Sequence, residues 1–250
     1  MDLLTGHIFG FVLVLTRVGA FLAVAPIFSW GTIPRRIQVC LIVILSVFFT
    51  AVIDPLPAGD AMNPIRAGLA IAQEVLYGGV LGLICWMLFS VVRIAARIAG
   101  REMGFAMASV IDPVTGQQTQ PLSVLLEVIF ILLFLAANGH HLLLRVIAKS
   151  YESFPAGTIP ELSTLVKGAI LAGSTMLVMA LKLAAPMLGA FLLLMVVLAV
   201  MARIAPEANI LFLSLPLRVG LGLLIVGIFL PFIGAFVKEM ARLMDHLLPL

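Results

Sequence analysis

Five ionisable side chains sit where the sequence offers them least water. Arg17, Glu74, Glu127, Lys182 and Arg218 each fall inside a long run of Leu, Ile, Val, Ala, Phe and Gly. A charge at membrane depth is costly and must face protein, water or an opposite charge. Two chemistries would keep these groups there. One is a proton or ion path. The other is charge pairing between helices, helped near segment ends by long side chains that reach the headgroups. Pairing is the simpler account. Arg17 and Lys182, nearest mid-segment, are the hardest to place by reaching outward.

Other candidate chemistry is thin. His140 and His141 are adjacent in "NGHH". Neighbours on a helix point ~100° apart, so one metal cannot be chelated by both. They fit a polar turn in a broken helix better than a proton sensor. Cys40 and Cys85 lie in apolar runs and read as small buried hydrophobes, with no disulfide or metal framework. The sequence contains no G-x-x-x-x-G-K-[ST], no H-E-x-x-H, no G-x-S-x-G and no closely spaced carboxylate pair. Neither an enzyme nor a cofactor nor a metal site is expected. Energy for any transport must then come from elsewhere.

The elements that carry these residues follow from composition. Of 250 residues 63% are hydrophobic and 11% charged, against about 25% charged in soluble domains. Mean hydropathy is +1.23. The chain is therefore expected to be an all-α integral membrane protein of about six apolar helical segments. Its net charge of +3 sits beside apolar runs, which indicates topology and headgroup contact and gives no support to nucleic-acid binding. Apolar stretches fall at 8–28, 37–53, 69–92 and 122–147, then two longer ones at 162–202 and 210–248. The N-terminus lacks a basic region and a small-residue cleavage site, and reads as an uncleaved first span.

Each long stretch is about twice what one bilayer needs. Pro186 lies in the first; Pro216 and Pro231 lie in the second. No polar loop interrupts either, so two long kinked helices are expected, joined by the turn "RIAPEAN" at 203–209. Residues 1–160 then form a four-span N-terminal part and 161–250 a helical hairpin. Arg35 and Arg36 mark the first loop as cytoplasmic, and Arg93, Arg97 and Arg101 open a cytoplasmic third loop. Lys238 and Arg242 then end up on the wrong side, which hints at something other than an ordinary bundle in lipid. Small residues recur at helical spacing, Gly78, Gly79 and Gly82, then Gly168, Ala169, Ala172 and Gly173. They allow close helix approach, within this chain or against another.

One polar stretch breaks the pattern: "GREMGFAMASVIDPVTGQQTQP", 100–121. Met103, Phe105, Met107 and Val110 are apolar. Asp112-Pro113 and Thr115-Gly116 are turn signals, and Gln117 and Gln118 offer uncharged hydrogen bonding. Non-helical backbone at membrane depth survives only when buried in protein or lining water. Methionine adapts to varied contacts.

Four stretches together carry a resemblance: "TRVGAFLAVAPIFSWGTIPRRIQVCL", 16–41; "DPVTGQQTQPLS", 112–123; "NGHH"; and "ARIAPEANILFLSLPLRVGLGLL", 202–224. In this order and spacing the chain resembles the FliR/SctT family of type III export-gate proteins, over nearly its whole length. Glu207 and Ala208, and Ser214 with Leu215, depart from the family's usual turn. The resemblance implies a FliP-like N-terminal part and a FliQ-like C-terminal hairpin of two long kinked helices. It marks Arg203, Pro206, Asn209 and Pro216 as the hairpin turn motif. It implies a pore-plugging loop holding Met103, Phe105, Met107, Val110, Asp112, Pro113, Gly116, Gln117 and Gln118.

The implied function is a non-enzymatic subunit that completes a pore for unfolded flagellar proteins. Implied partners are FliP-like and FliQ-like gate subunits, an FlhB-like switch protein, the basal-body ring, membrane lipid and export substrates in transit. The implied location is the bacterial inner membrane, multi-pass, at the flagellar basal body. An injectisome gate subunit is the alternative. A small-solute secondary transporter is a further one, but it would need paired broken spans in related halves, and only Lys182 with Pro186 points that way.

Overall fold

The computed structural model describes residues 2–28, 33–52, 64–104, 110–111, 118–119, 121–158, 162–205 and 210–247. Seven helices account for nearly all of them: α1 Asp2–Val24, α2 Arg35–Val52, α3 Pro64–Glu102, α4 Pro121–Ala136, α5 Gly139–Ser153, α6 Leu162–Ile204 and α7 Ile210–Leu247. Two-residue strands β1 Val110–Ile111 and β2 Gln118–Thr119 pair antiparallel, Val110 with Thr119 and Ile111 with Gln118. The chain is an all-α protein. Among the described residues four helices are long and apolar enough to cross a bilayer, with a fifth if α4 and α5 form one broken span. The described apolar run of α7, Ser214–Ile228, is shorter.

Three helices exceed a bilayer. α3 has 39 residues, α6 43 and α7 38. At 1.5 Å per residue they reach about 58, 64 and 57 Å, against a hydrocarbon core of about 30 Å. Helix α6 continues through Pro186 and α7 through Pro216. Two sequence expectations need revision. Arg93, Arg97 and Arg101 stand on α3 rather than in a loop, because the helix runs past Gly100 and stops at Gly104, whose φ of 84° is a left-handed C-terminal cap. The stretch 122–147 is two helices, because Asn138 adopts φ 58°, ψ 27° between them and a left-handed residue cannot continue an α-helix.

Two compact units form. The first comprises Met1–Phe89, Asn138–Ser174 and Met240–Leu250; the second comprises Ser90–Ala137 and Thr175–Glu239. In the first, α1 lies on α3. A Cβ on Gly78 would collide with the Arg17 carbonyl oxygen, and one on Gly82 would meet the Phe21 carbonyl oxygen and Val24 Cβ at 2.9 Å. A Cβ on Gly19 of α1 would lie 3.6 Å from Ile42 Cγ2 on α2, an ordinary van der Waals contact. Tyr151 of α5 donates to the Val14 carbonyl and lies beside Phe49 of α2. In the second unit, Val92, Ala95 and Ala96 of α3, Leu126 of α4, Leu183 and Met187 of α6 and Val226 of α7 surround an apolar void of about 50 Å³. The Phe130 ring of α4 lies 6.1 Å from that of Phe236 of α7, tilted by 57°.

Burial is uneven. The apolar window of α3 is 61% buried, that of α6 only 22% and that of α2 only 11%. On α2 Ile37, Val39, Ile44, Val47, Phe48 and Val52 are uncovered; on α6 so are Leu192, Leu193, Val196, Val200 and Ile204. Among the described residues, α2 and α6 leave most of their apolar surface uncovered.

Candidate functional site

The centre of the first unit is built round Arg17. The glycine at 78 draws the backbone of α1 onto α3 one turn beyond Glu74, and this sets the two charged side chains together. Arg17 Nε donates to Glu74 Oε2 at 2.5 Å and Nη2 donates to Oε1 at 3.0 Å. Nη1 donates to the Ser150 carbonyl at 3.2 Å and the Phe154 carbonyl at 2.9 Å, with Ser150 Oγ at 3.4 Å. Glu74 Oε1 also accepts the Gly157 backbone N–H at 2.8 Å. The guanidinium carbon lies 4.7 Å from the ring centre of Tyr77 and 4.2 Å from that of Tyr151. These are the only two tyrosines in the chain. Both charged side chains are buried.

A bidentate carboxylate in the guanidinium plane and aromatic rings against it suit arginine and not lysine. The carbonyls are those of Ser150 in the last turn of α5 and of Phe154 beyond it. One charge pair therefore clamps α1, α3, α5 and the turn that follows. Its hydrogen bonds run to carbonyls, a hydroxyl and an amide, an arrangement that holds elements together.

A second pair lies in the other unit. Arg93 Nε donates to Glu127 Oε2 at 3.1 Å and Nη2 to Oε1, with the side chains 30% and 22% exposed. It joins α3 to α4, the helices on either side of the polar connection. Being partly open, it is worth about 1 kcal/mol or less. Glu127→Gln is expected to lower the thermal midpoint of the detergent-extracted protein only slightly, read by scanning fluorimetry. A loss as large as that from an Arg17 substitution would contradict this.

The root of the connection is ordered. Met103 is fully buried, its N–H bonds the Ala99 carbonyl at 3.1 Å, and the Gly104 N–H bonds the Arg101 carbonyl at 3.0 Å. Val110 and Gln118 lie in the short antiparallel pairing. Phe105, Met107, Asp112, Pro113, Gly116 and Gln117 lie outside the described residues, as do Pro206 and Asn209. Lys182 is exposed on α6, Arg218 half-buried on α7, and Arg203 and Pro216 exposed. The structure thus brings Arg17 and Glu74 together and gives Glu127 a basic partner. The rings of His140 and His141 lie 4.2 Å apart just after the break at Asn138.

Sequence reasoning missed Tyr77, Tyr151, Ser150 and Arg93 as parts of these pairs. The available signal was scarcity. With only two tyrosines in the chain, one stands three residues from an intramembrane glutamate.

Comparison with known proteins places these features. A sequence model described as bacterial export proteins, family 1, matches residues 8–244. The chain is 29% identical to the flagellar biosynthetic protein FliR of Escherichia coli (strain K12), over 90% of this chain and 86% of that protein. It is 28% identical to the protein of the same name in Bacillus subtilis (strain 168), over 93% and 90%. It is also 29% identical to Yop proteins translocation protein T of Yersinia pestis, over 91% and 88%. With four helices of spanning length among the described residues and a family match from the first helix into the last, this chain belongs to the bacterial export proteins, family 1.

Proposed function

We propose that the chain is a non-enzymatic, multi-pass inner-membrane subunit of a type III export gate, completing the pore through which unfolded flagellar proteins leave the cell. The observation that carries this is the match over residues 8–244 in a chain whose α2 and α6 are largely uncovered. Those faces need neighbours. FliP-like and FliQ-like gate subunits, an FlhB-like switch protein and the basal-body ring are the proposed ones, with membrane lipid outside and export substrates passing within. Residues 1–160 are assigned to the FliP-like part and 161–250 to the FliQ-like hairpin. The flagellar assignment follows the FliR relatives; the Yersinia relative makes an injectisome gate the second reading.

The connection between α3 and α4 is assigned as the plug of the closed pore. Its root is held at Met103, its flanking helices are tied by Arg93 and Glu127, and its sequence combines adaptable apolar residues with uncharged polar ones. The test uses the complex purified from cells. The chain is expected in a stable multi-subunit assembly that is lost without it, and deletion of residues 106–118 is expected to raise ion leak through the closed assembly. A solitary folded chain moving a small solute in liposomes would overturn the gate. Leak remaining at background after the deletion would overturn the plug.

A further inference from the structure

One glycine on α7 is unlike its neighbours. A Cβ built on Gly222 would lie 2.5 Å from Cγ, Sδ and Cε of Met103 at once, whereas at Gly220, Gly227 and Gly234 of the same helix it would meet nothing within 4 Å. Met103 is 0% exposed and immediately precedes Gly104, where the left-handed backbone ends α3. Its side chain therefore sits in a socket on α7 that only glycine leaves open, at the residue from which the polar connection departs.

We propose that Met103 seated on Gly222 is the positioning contact that fixes the root of the α3–α4 connection in its closed placement; this rests on the assignment of that connection as the plug.

Three physical points carry the inference. The clash at Gly222 is with a flexible side chain, whereas at Gly78 it is with backbone. A side chain at 222 would thus unseat Met103 and leave α7 in place, so the contact controls the root without controlling the helix. The far flank of the connection is held separately, because Glu127 on α4 is bound to Arg93; unseating Met103 frees one end alone. The seat also consists of thioether and methylene contact. It can open without orphaning a buried polar group, which suits a closure that must open and reseal repeatedly.

The test uses the assembled complex containing the full chain, reconstituted in liposomes. Gly222→Val adds three heavy atoms and Met103→Ala removes three, so the double variant restores the volume that each single one disturbs. Each single substitution is expected to leave complex yield unchanged and to raise closed-state ion flux on the order of tenfold. The double variant is expected to return flux towards the parent level. Gly222→Ala serves if Gly222→Val fails to assemble.

A readout independent of the plug is hydrogen exchange at the Met103 and Gly104 amides, which bond the Ala99 and Arg101 carbonyls. It should be slow with Gly222 and faster, by on the order of tenfold, when Gly222→Val is introduced with Met103 retained. Unchanged exchange, flux at the parent level with Gly222→Val, or a double variant as leaky as the singles would each overturn the seat. If deletion of 106–118 leaks and Gly222→Val does not, the seat falls and the plug stands. If neither leaks, the plug assignment itself falls.

Discussion

Arg17→Ala will cost about 3–5 kcal/mol, the penalty for leaving a buried carboxylate without its partner. Set against a typical total stability of about 5–15 kcal/mol, that should remove most folded chain from the assembled complex. The reason is geometric. Glu74 keeps one hydrogen bond, from Gly157, but loses both contacts to the guanidinium. The Ser150 and Phe154 carbonyls lose their donor, and Tyr77 and Tyr151 lose the cation between them. Arg17→Lys should rescue only partly, since an ammonium cannot reach the carboxylate in two places and both carbonyls at once. Removing both charges with apolar replacements of similar volume, Arg17→Met with Glu74→Leu, should do less harm than either single loss. Thermal midpoint and yield of the detergent-extracted complex measure all three. A double variant as poor as Arg17→Ala would show that the pair does more than neutralise itself.

Gly78→Ala and Gly79→Ala should differ in sign although they are adjacent. At 78 the added carbon would collide with the Arg17 carbonyl oxygen, and would lie 3.1 Å from its carbon and 3.2 Å from Ala20 Cβ. The obstacle is backbone, so α1 must move off α3, at a cost of about 1–3 kcal/mol or more, and the displaced segment carries Arg17 with it. At 79 nothing lies within 4 Å, and alanine improves helix propensity by about 0.8–1 kcal/mol. The same measurements decide it. A neutral Gly78→Ala would mean that the close approach of α1 and α3 does not matter to stability.

Much of this architecture was legible. Apolar runs of spanning length located the helices, and the absence of polar interruption in 162–202 and 210–248 correctly indicated single long helices. Gly78 and Gly82 were read as packing residues, and they pack within this chain. What stayed hidden was non-local or local in a misleading way. Arg17 and Glu74 are 57 residues apart, and no spacing rule links them. Gly100 looked like the start of a loop, but it is buried inside α3, where a glycine costs only about 1 kcal/mol; the stop came at Gly104. The socket at Gly222 could not be told from Gly220 or Gly227 by sequence, because it is defined by what approaches it.

The wide sequence separation within the Arg17 clamp has a consequence for biogenesis. Ribosomes add about 5–20 residues per second, so Glu74 follows Arg17 into the translocon only after roughly 3–11 s, and Ser150, 133 residues later, follows later still. During that interval the first segment carries an unneutralised guanidinium, which on insertion scales opposes membrane partitioning by about 2.5–3.5 kcal/mol. The apolar residues of Gly6–Val24 must outweigh that cost unaided until the third segment arrives, so the order of synthesis bears on how this protein acquires its topology.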